Sequence, residues 1–224
     1  MATLTARLNL VASFVRQGAR LADIGTDHAY LPVELVKNGV CQSALACDLR
    51  KGPLENAKAH VKSAGLADTI ECRLGDGLSP VNAGEADDIV LAGMGGETIA
   101  AILAACPFIC DPALRVIAQP MTHPEDLRRF LWDNGFAIRA ETAVLEDEKP
   151  YLVLCAEYTG AKTPATAADC FVGNVTPSEA AKRYQEKRLL AAEKRLAGLE
   201  TAGGAAEELD TLREIVSRLK EEIG

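Results

Sequence analysis

The sequence predicts an α/β protein in which a seven-stranded, mostly parallel sheet is followed by a helical coiled-coil hairpin. Short apolar runs alternate with helical stretches over the first part of the chain, which is the pattern of parallel βα units. Two further strand-like runs follow with only a short polar turn between them, and the last part of the chain repeats leucine at helical spacing. A chain of 224 residues holds one full domain and a small addition.

The first predicted elements are one helix and five parallel strands. Apolar residues recur at helical spacing before Gly18, so the chain should open with an amphipathic helix that packs on the core. Helical stretches separate the apolar runs that follow, and each run is predicted to form a strand. The five strands are predicted at residues 20–24, 43–47, 69–74, 88–92 and 114–118.

The next two strands are predicted at residues 137–145 and 151–158. The polar turn at 146–150 is too short for a crossover helix, so these strands must pair antiparallel. Five parallel βα units that end in an antiparallel hairpin resemble the strand order of Rossmann-like class I methyltransferases. An ordinary dinucleotide-binding fold would continue with parallel units instead.

The carboxy-terminal part is predicted to form two antiparallel helices. Residues 159–178 are rich in Thr, Ala and Pro and are predicted to be a linker. Ser178 is expected to cap a helix that runs to about Thr201, and Gly203 and Gly204 should break it before a second helix at 205–223. This organisation predicts a domain at residues 1–160 and a coiled-coil hairpin at 161–224.

Composition limits the function classes. The net charge of −8 opposes an indiscriminate nucleic-acid binder, although it permits a local basic face. Seven cysteines form no Cys-x-x-Cys pair, so neither a metal site nor a disulfide framework is expected. Arg7 and Arg16 interrupt the apolar residues at the amino terminus, which opposes a signal peptide or membrane span and favours a cytoplasmic protein.

Acidic residues and glycines follow the first three strands, where a cofactor is expected to bind. Asp23, Gly25, Thr26 and His28 lie at the first turn, although a tight connection alone would also explain this pattern. Asp48 ends the second strand 23 positions after Gly25, close to the spacing of a ribose ligand; the alternative is a helix cap or a solvated turn carboxylate. Leu49 follows it. The third turn offers two residues to an adenine ring: Asp76 and Gly77.

The first turn favours a sulfonium cofactor over a nicotinamide dinucleotide. Of the Gly-x-Gly-x-x-Gly pattern, only the first glycine is present, as Gly25. Asp23 and Asp27 place negative charge where a pyrophosphate would bind, and S-adenosylmethionine has a positive sulfur and no phosphate. A cluster after the fourth strand would form the wall between cofactor methyl and acceptor: Gly93, Met94 and Gly95. The Asp/Asn-Pro-Pro-aromatic motif of amino methyltransferases does not follow that strand.

The residues resemble the family of bacterial tRNA (adenine-22-N1)-methyltransferases. The resemblance covers nearly the whole chain and depends most on Asp-Ile-Gly-Thr-Asp-His-Ala-Tyr-Leu-Pro at 23–32 and Ala-Gly-Met-Gly-Gly at 92–96. Shorter matches are Gly52-Pro53, Gly75-Asp76-Gly77-Leu78 and Gln119-Pro120, and the charged helical hairpin completes it. The resemblance implies methyl transfer from S-adenosylmethionine to a ring nitrogen of an adenine in the tRNA D-arm.

The proposed chemistry requires positioning more than a strong base, because neutral adenine carries a lone pair on N1. Asp27 is the candidate to stabilise the cationic product or accept an amino proton, and Met94 lies in the acceptor wall. Tyr30 would stack on a base that has left its helix, or would simply fill the core. His28 is expected to make a polar contact and not to bind a metal.

A basic run on the first helix of the hairpin is the candidate surface for tRNA phosphates, although a solvated face is its more common meaning. We expect a monomer, with a dimer as the alternative. Other functions fit the same sequence: methylation of another RNA position or a small molecule, or a non-catalytic coiled-coil interaction protein with a vestigial cofactor pocket. The basic residues are Lys182, Arg183, Lys187, Arg188, Lys194 and Arg195.

Overall fold

The computed structural model describes residues 4–224. Met1, Ala2 and Thr3, with which the predicted first domain and its amino-terminal segment begin, lie outside the described residues. Seven strands form one sheet, in the order β3-β2-β1-β4-β5-β7-β6. The strands are β1 (Ala19–Ile24), β2 (Cys41–Asp48), β3 (Ile70–Leu74), β4 (Asp88–Gly95), β5 (Arg115–Thr122), β6 (Phe136–Glu146) and β7 (Lys149–Tyr158).

Eight helices lie among the described residues, and five of them precede the antiparallel pair of strands. No helix within residues 4–224 combines the length and the apolar character that crossing a membrane requires. The helices are α1 (Ala6–Ser13), α2 (Tyr30–Lys37), α3 (Lys51–Ser63), α4 (Gly96–Ala104), α5 (Pro124–Asp133), α6 (Ala167–Val172), α7 (Glu179–Ala202) and α8 (Ala206–Ile223).

The predicted mixed sheet is confirmed. β1 to β5 pair in parallel, whereas β7 is antiparallel to both β5 and β6. The turn between β6 and β7 is shorter than predicted, because pairing extends to Glu146 and Lys149. Asp147 and Glu148 alone make the turn, and both have the left-handed backbone that a two-residue type I′ hairpin turn requires.

Alternating side chains of the central strands bury two apolar layers. Ala22 and Ile24 of β1 belong to one core cluster, and Leu21 belongs to the other on the opposite face. Both faces are covered by helices, which explains why the central strands read as continuous apolar runs in the sequence. This packing leaves the carboxyl ends of the strands free to carry polar loops.

The segment predicted as a linker contains α6, which the sequence analysis missed. Thr166 and Asp169 form a capping box in which each side chain bonds the other residue's backbone N–H. Six residues are too few for a helical period to be visible. The Thr-x-x-Asp pattern of a capping box was the one sequence signal that indicated the start of this helix. Val172 of α6 packs in a third cluster with Leu212 and Leu219 of α8.

The hairpin forms as predicted and is attached to the sheet. The Ser178 side chain accepts from Ala181 N at the start of α7, and Gly203 ends that helix with φ of 70°. Ala181 and Tyr184 of α7 belong to the core cluster beneath the sheet. The division of the chain into domains at residue 160 stays a prediction.

Candidate active site

The carboxyl ends of the parallel strands meet at one edge of the sheet. β1 lies between β2 and β4, so successive connections leave β1 in opposite directions. Ligands of open α/β sheets bind in the crevice outside the carboxyl ends at such a point. The predicted cofactor residues lie at the carboxyl ends of β1, β2 and β4 and in the loops after β1, β2 and β3, and the sheet brings these segments to one edge.

The turn after β1 needs a glycine for two reasons. Gly25 has φ of +76°, and a Cβ on it would overlap the terminal methyl of Met94. The backbone N–H groups of Gly25 and Thr26 both donate to Cys47 O, at 2.8 and 3.0 Å, which fixes the turn against β2. The result is a bare backbone surface in contact with the Met94 side chain.

Asp23 is a buried carboxylate directly before this turn. Its side chain accepts a hydrogen bond from Thr26 Oγ1 at 2.6 Å. Burial raises the pKa of Asp23 to about 6; the Thr26 hydrogen bond opposes that rise and the charge of Asp48 adds to it. A cation placed beside Asp23 would favour its ionised form. The site therefore suits a positively charged ligand.

Asp48 ends β2 with its carboxylate 5% exposed. Oδ1 accepts from Arg50 N at 2.8 Å, and Oδ2 lies 3.4 Å from Asp27 N. A carboxylate has about four acceptor positions, so acceptor capacity remains for two hydroxyl groups. Arg50 is the N-cap residue of α3, and its own side chain makes no cap hydrogen bond. Asp48 thus bonds a backbone N–H at the start of α3, and its role as a ribose ligand stays a prediction.

Apolar surface lies beside Asp48 at the same sheet edge. Leu49 is 62% exposed and Leu74, which the sequence analysis did not select, is 46% exposed. Gly77 has φ of +52°, and a Cβ there would lie 2.9 Å from Ile102, so α4 packs closely against this turn. Asp76 and Gly77 line a cavity of about 800 Å³. Exposed leucines beside a carboxylate form a surface that complements a nucleoside.

The glycine cluster forms the opposite wall. Gly93 has φ of +80°, and its N–H donates to Gln119 Oε1 at 3.0 Å. A Cβ on Gly95 would lie 3.1 Å from Thr122 Oγ1. Gly96, which begins α4, lies against the backbone carbonyl of His123 so closely that no Cβ fits. The β4 end is therefore fixed by β5 and by the loop that follows it.

Four residues that the sequence analysis did not select lie next to this wall. Gln119 is fully buried, and Oε1 accepts from Arg7 Nη1 at 2.6 Å. The Arg7 guanidinium lies over the Tyr151 ring, 5.6 Å from its centroid, and Glu146 accepts from Arg7 N at 2.8 Å. Gln119 belongs to the short Gln119-Pro120 match. Arg7, Glu146 and Tyr151 do not stand in any local sequence pattern that would link them to it.

Asp27, His28 and Tyr30 lie at the mouth of the crevice. Asp27 and Ala29 have positive φ, and Asp27 Oδ2 is 3.6 Å from His28 Nε2. Tyr30 is 41% exposed, so it is not the core aromatic that was the alternative. Its ring stacks on His28 and meets His60 edge to face, with centroids 5.2 and 4.9 Å apart. His60 was not among the predicted site residues.

The basic residues of α7 differ in how far acidic partners within the protein occupy them. Arg188 is the least available: it bonds Glu125 Oε2 at 2.7 Å and lies 3.7 Å above the Phe171 ring. Arg195 pairs with Glu208 at 2.6 Å, and Arg183 with Glu179 at 3.4 Å. The others are exposed and form no ion pair within residues 4–224: Lys182, Lys187 and Lys194.

One group of possible metal ligands occurs among the described residues. Glu97, His123 and Asp126 place one ligand atom each within 4.8 Å of the others, and the first two residues are exposed. These residues lie at the starts of α4 and α5 and not among the cofactor turns. No cysteine is among them.

Known proteins share this sequence pattern. The family described as "Methyltransferase domain" matches residues 4–154. The tRNA (adenine(22)-N(1))-methyltransferase of Bacillus subtilis is 43% identical over 154 residues, which are 69% of this chain. The match spans 65% of the length of that curated relative.

Solved structures match the whole chain. The Bacillus subtilis m1A22 tRNA methyltransferase TrmK has a TM-score of 0.85 and 33% identity, with 100% of each chain covered. A Streptococcus pneumoniae protein in complex with S-adenosyl-L-methionine has a TM-score of 0.78 and 35% identity, covering 99% of this chain and 100% of that one. The similarity therefore includes the helical hairpin as well as the sheet.

Proposed function

This chain belongs to the family of bacterial tRNA (adenine-22-N1)-methyltransferases, and we propose that it transfers a methyl group from S-adenosylmethionine to N1 of adenine 22 in the tRNA D-arm. The observation that carries this proposal is the crevice in which the Gly25 turn and the Asp48 carboxylate face the glycine turn of β4. It offers a nucleoside site on one side and a bare backbone wall on the other.

The residues of the crevice fit the cofactor. When bound, S-adenosylmethionine supplies an electrophilic methyl group on a positively charged sulfur. Asp48 would accept hydrogen bonds from the ribose hydroxyls, and Leu49 would cover the adenine ring beside the turn of Asp76 and Gly77. Asp23 would hold negative charge near the sulfonium group, with Gly25, Thr26 and His28 around the amino acid part.

The acceptor adenine would lie against Gly93, Met94 and Gly95. Its N1 carries the attacking lone pair, so the protein's task is in-line positioning and exclusion of water. The adenine gains positive charge when N1 forms the new bond. Asp27 would stabilise that charge or accept a proton from the amino group. Tyr30, exposed at the mouth, would stack on the extruded base.

The tRNA body would contact α7. N1 lies on the Watson–Crick edge, so the base must leave its helix, and phosphate contacts must hold the RNA while it does. Lys182, Lys187 and Lys194 are exposed for this purpose, whereas Arg183, Arg188 and Arg195 must first leave their acidic partners. We propose a monomer that works in the cytoplasm, where tRNA and the cofactor occur, without a metal.

The test is methyl transfer from labelled S-adenosylmethionine to unmodified tRNA transcripts, followed by nucleoside analysis. We expect 1-methyladenosine, and we expect it to disappear when adenine 22 is replaced by guanine. Activity should survive a chelator, and the protein should elute as a monomer. Methylation of another nucleoside, or cofactor binding without transfer to any tRNA, would refute the assignment.

A further inference from the structure

A second cleft opens beside the proposed point of methyl transfer. It has a volume of about 320 Å³ and lies between the β5–α5 connection, the start of β7 and α7. Pro120 pairs with Met94 and Thr122 pairs with Gly95 in the β4–β5 register, and both β5 residues line the cleft. The cleft therefore lies beside the end of β4 that carries the proposed wall for the target adenine.

The cleft is positively charged in a protein of net charge −8. Lys149, Lys187 and Arg188 line it together with the imidazole of His123, and none of its lining residues is acidic. A neighbouring cleft of about 430 Å³, between α5, α6 and α8, is instead lined by four carboxylates, from Glu125, Asp126, Glu207 and Glu208, against two arginines, Arg129 and Arg195. Positive charge is thus concentrated at the cleft that adjoins the active site.

Two of these cations are free to bind an anion. Arg188 is held by Glu125 and Phe171 and is only 16% exposed. Lys149 at the start of β7 and Lys187 on α7 are exposed, and neither forms an ion pair within residues 4–224. Lys149 lines the cleft from β7 and Lys187 lines it from α7, so the cleft has a positive charge from each of these two elements.

Apolar side chains line part of this cleft, beside its polar groups. Met121 is 48% exposed, and Pro150 and Tyr151 lie beside it at half-buried positions. A nucleotide presents a flat base and an anionic phosphate, which match a mixed surface that carries both apolar side chains and ammonium groups. A volume of about 320 Å³ lies near the lower limit of ligand clefts, roughly 300–1,000 Å³, and suits one such group.

We propose that this cleft binds the nucleotide next to the target adenine in the RNA strand, with Lys149 and Lys187 on its phosphate and Met121 against its base. This inference rests on the proposed function, because it assumes an RNA substrate at the same site. It assigns to Lys149, outside the basic run of α7, a direct part in RNA binding. Anchoring the adjacent nucleotide would help to hold the target base out of its helix.

The test compares the full-length double variant Lys149→Gln/Lys187→Gln with the matched double variant Lys37→Gln/Lys62→Gln. The control lysines are exposed near the carboxyl ends of α2 and α3, at the opposite edge of the sheet. Binding of unmodified tRNA is measured over a range of salt, with the Kd for S-adenosylmethionine and the melting temperature of each variant. KM for tRNA and kcat complete the comparison.

We expect the cleft variant to bind tRNA roughly tenfold more weakly and its log Kd to depend less steeply on log salt, by about one unit for each lysine removed. KM for tRNA should rise while the affinity for S-adenosylmethionine stays unchanged, and the control should behave as wild type. Wild-type binding in the cleft variant, or equal losses in both variants, would overturn the proposal. A wild-type protein that neither binds nor methylates tRNA would instead refute the proposed function.

Discussion

Arg7 donates a hydrogen bond to Gln119 Oε1 at 2.6 Å, which ties the first helix to the end of β5 across 112 positions of sequence. The same oxygen accepts the N–H of Gly93 at 3.0 Å. One buried amide thus fixes both the guanidinium of Arg7 and the glycine turn against which the acceptor adenine is proposed to lie. The amino-terminal helix is therefore part of the active-site wall.

Replacing Gln119 should lower activity more than cofactor binding. In Gln119→Ala the Gly93 N–H and the Arg7 guanidinium both lose their acceptor, and a hydrogen bond contributes about 0.5–1.5 kcal/mol, or more when one partner is charged. We expect kcat to fall roughly tenfold or more as the turn loosens, with little change in the Kd for S-adenosylmethionine. Gln119→Glu is the control, since it keeps an oxygen at the same position. Steady-state kinetics and calorimetric binding measure both quantities, and equal losses in kcat and cofactor affinity would contradict this role.

Gly25→Ala should abolish cofactor binding, and its effect can be separated from backbone strain. The left-handed backbone of Gly25 makes any side chain costly by about 1–2 kcal/mol, and the new Cβ also overlaps Met94. Gly39→Ala is the matched control, with φ of +70° and nothing within 4 Å of the added Cβ. Denaturant unfolding and cofactor titration of both variants test this. If Gly39→Ala loses as much stability and Gly25→Ala still binds the cofactor, then the close approach of Met94 to Gly25 plays no part in cofactor binding.

Asp48→Asn should weaken S-adenosylmethionine binding by about 10- to 100-fold, because hydrogen bonds to a charged group contribute about 1.5–3 kcal/mol. The amide keeps the shape of the side chain and one acceptor oxygen, so the fold should persist. Affinity for tRNA should stay unchanged, since Asp48 lies on the cofactor side of the crevice. Isothermal titration with cofactor and with tRNA separates the two effects, and a selective loss of tRNA affinity would refute the ribose assignment.

Asp23→Asn should stabilise the cofactor-free protein above pH 6. Burial raises the pKa of Asp23 from 3.8 to about 6, so the folded protein holds this proton more tightly than the unfolded chain. This tighter binding of the proton adds roughly 3 kcal/mol to the free energy of unfolding. The contribution is complete below about pH 4 and is lost as the pH rises through about 6. Denaturant unfolding of both proteins from pH 4 to 8 should show a growing difference in favour of the variant. A difference that is constant with pH would contradict the shifted pKa.

The Arg128–Glu141 pair should be important for attaching the hairpin. Arg128 is 0% and Glu141 2% exposed; Arg128 Nε bonds Glu141 Oε1 at 2.6 Å, and Arg128 Nη1 donates to Cys170 O at 2.8 Å. Removing one partner leaves an unpaired buried charge, so Arg128→Met should cost about 3–5 kcal/mol. The double variant Arg128→Met/Glu141→Leu should recover much of that loss. A double variant as unstable as Arg128→Met would show that packing, not charge, dominates.

Local sequence predicted the elements that depend on local physics. Ser178 and Gly203 marked the ends of α7, because caps satisfy backbone groups within one turn. The α6 helix was missed because its six residues have no visible period. The proposed cofactor turns could be predicted to lie together because each follows its own strand, and parallel strands bring their carboxyl ends to one edge.

By itself, the sequence determined the alternation of elements, the sulfonium-compatible turn at Gly25, the acidic end of β2 and the family resemblance. Tertiary structure alone decided which distant residues complete the site. Arg7, Glu146 and Tyr151 meet Gln119 only because the first helix packs beside the antiparallel strands, and Lys149 and Lys187 share a cleft only because α7 lies beside the start of β7. A helix or strand pattern depends on a few neighbouring residues and is visible in the sequence. Contacts between distant residues depend on how whole helices and strands pack.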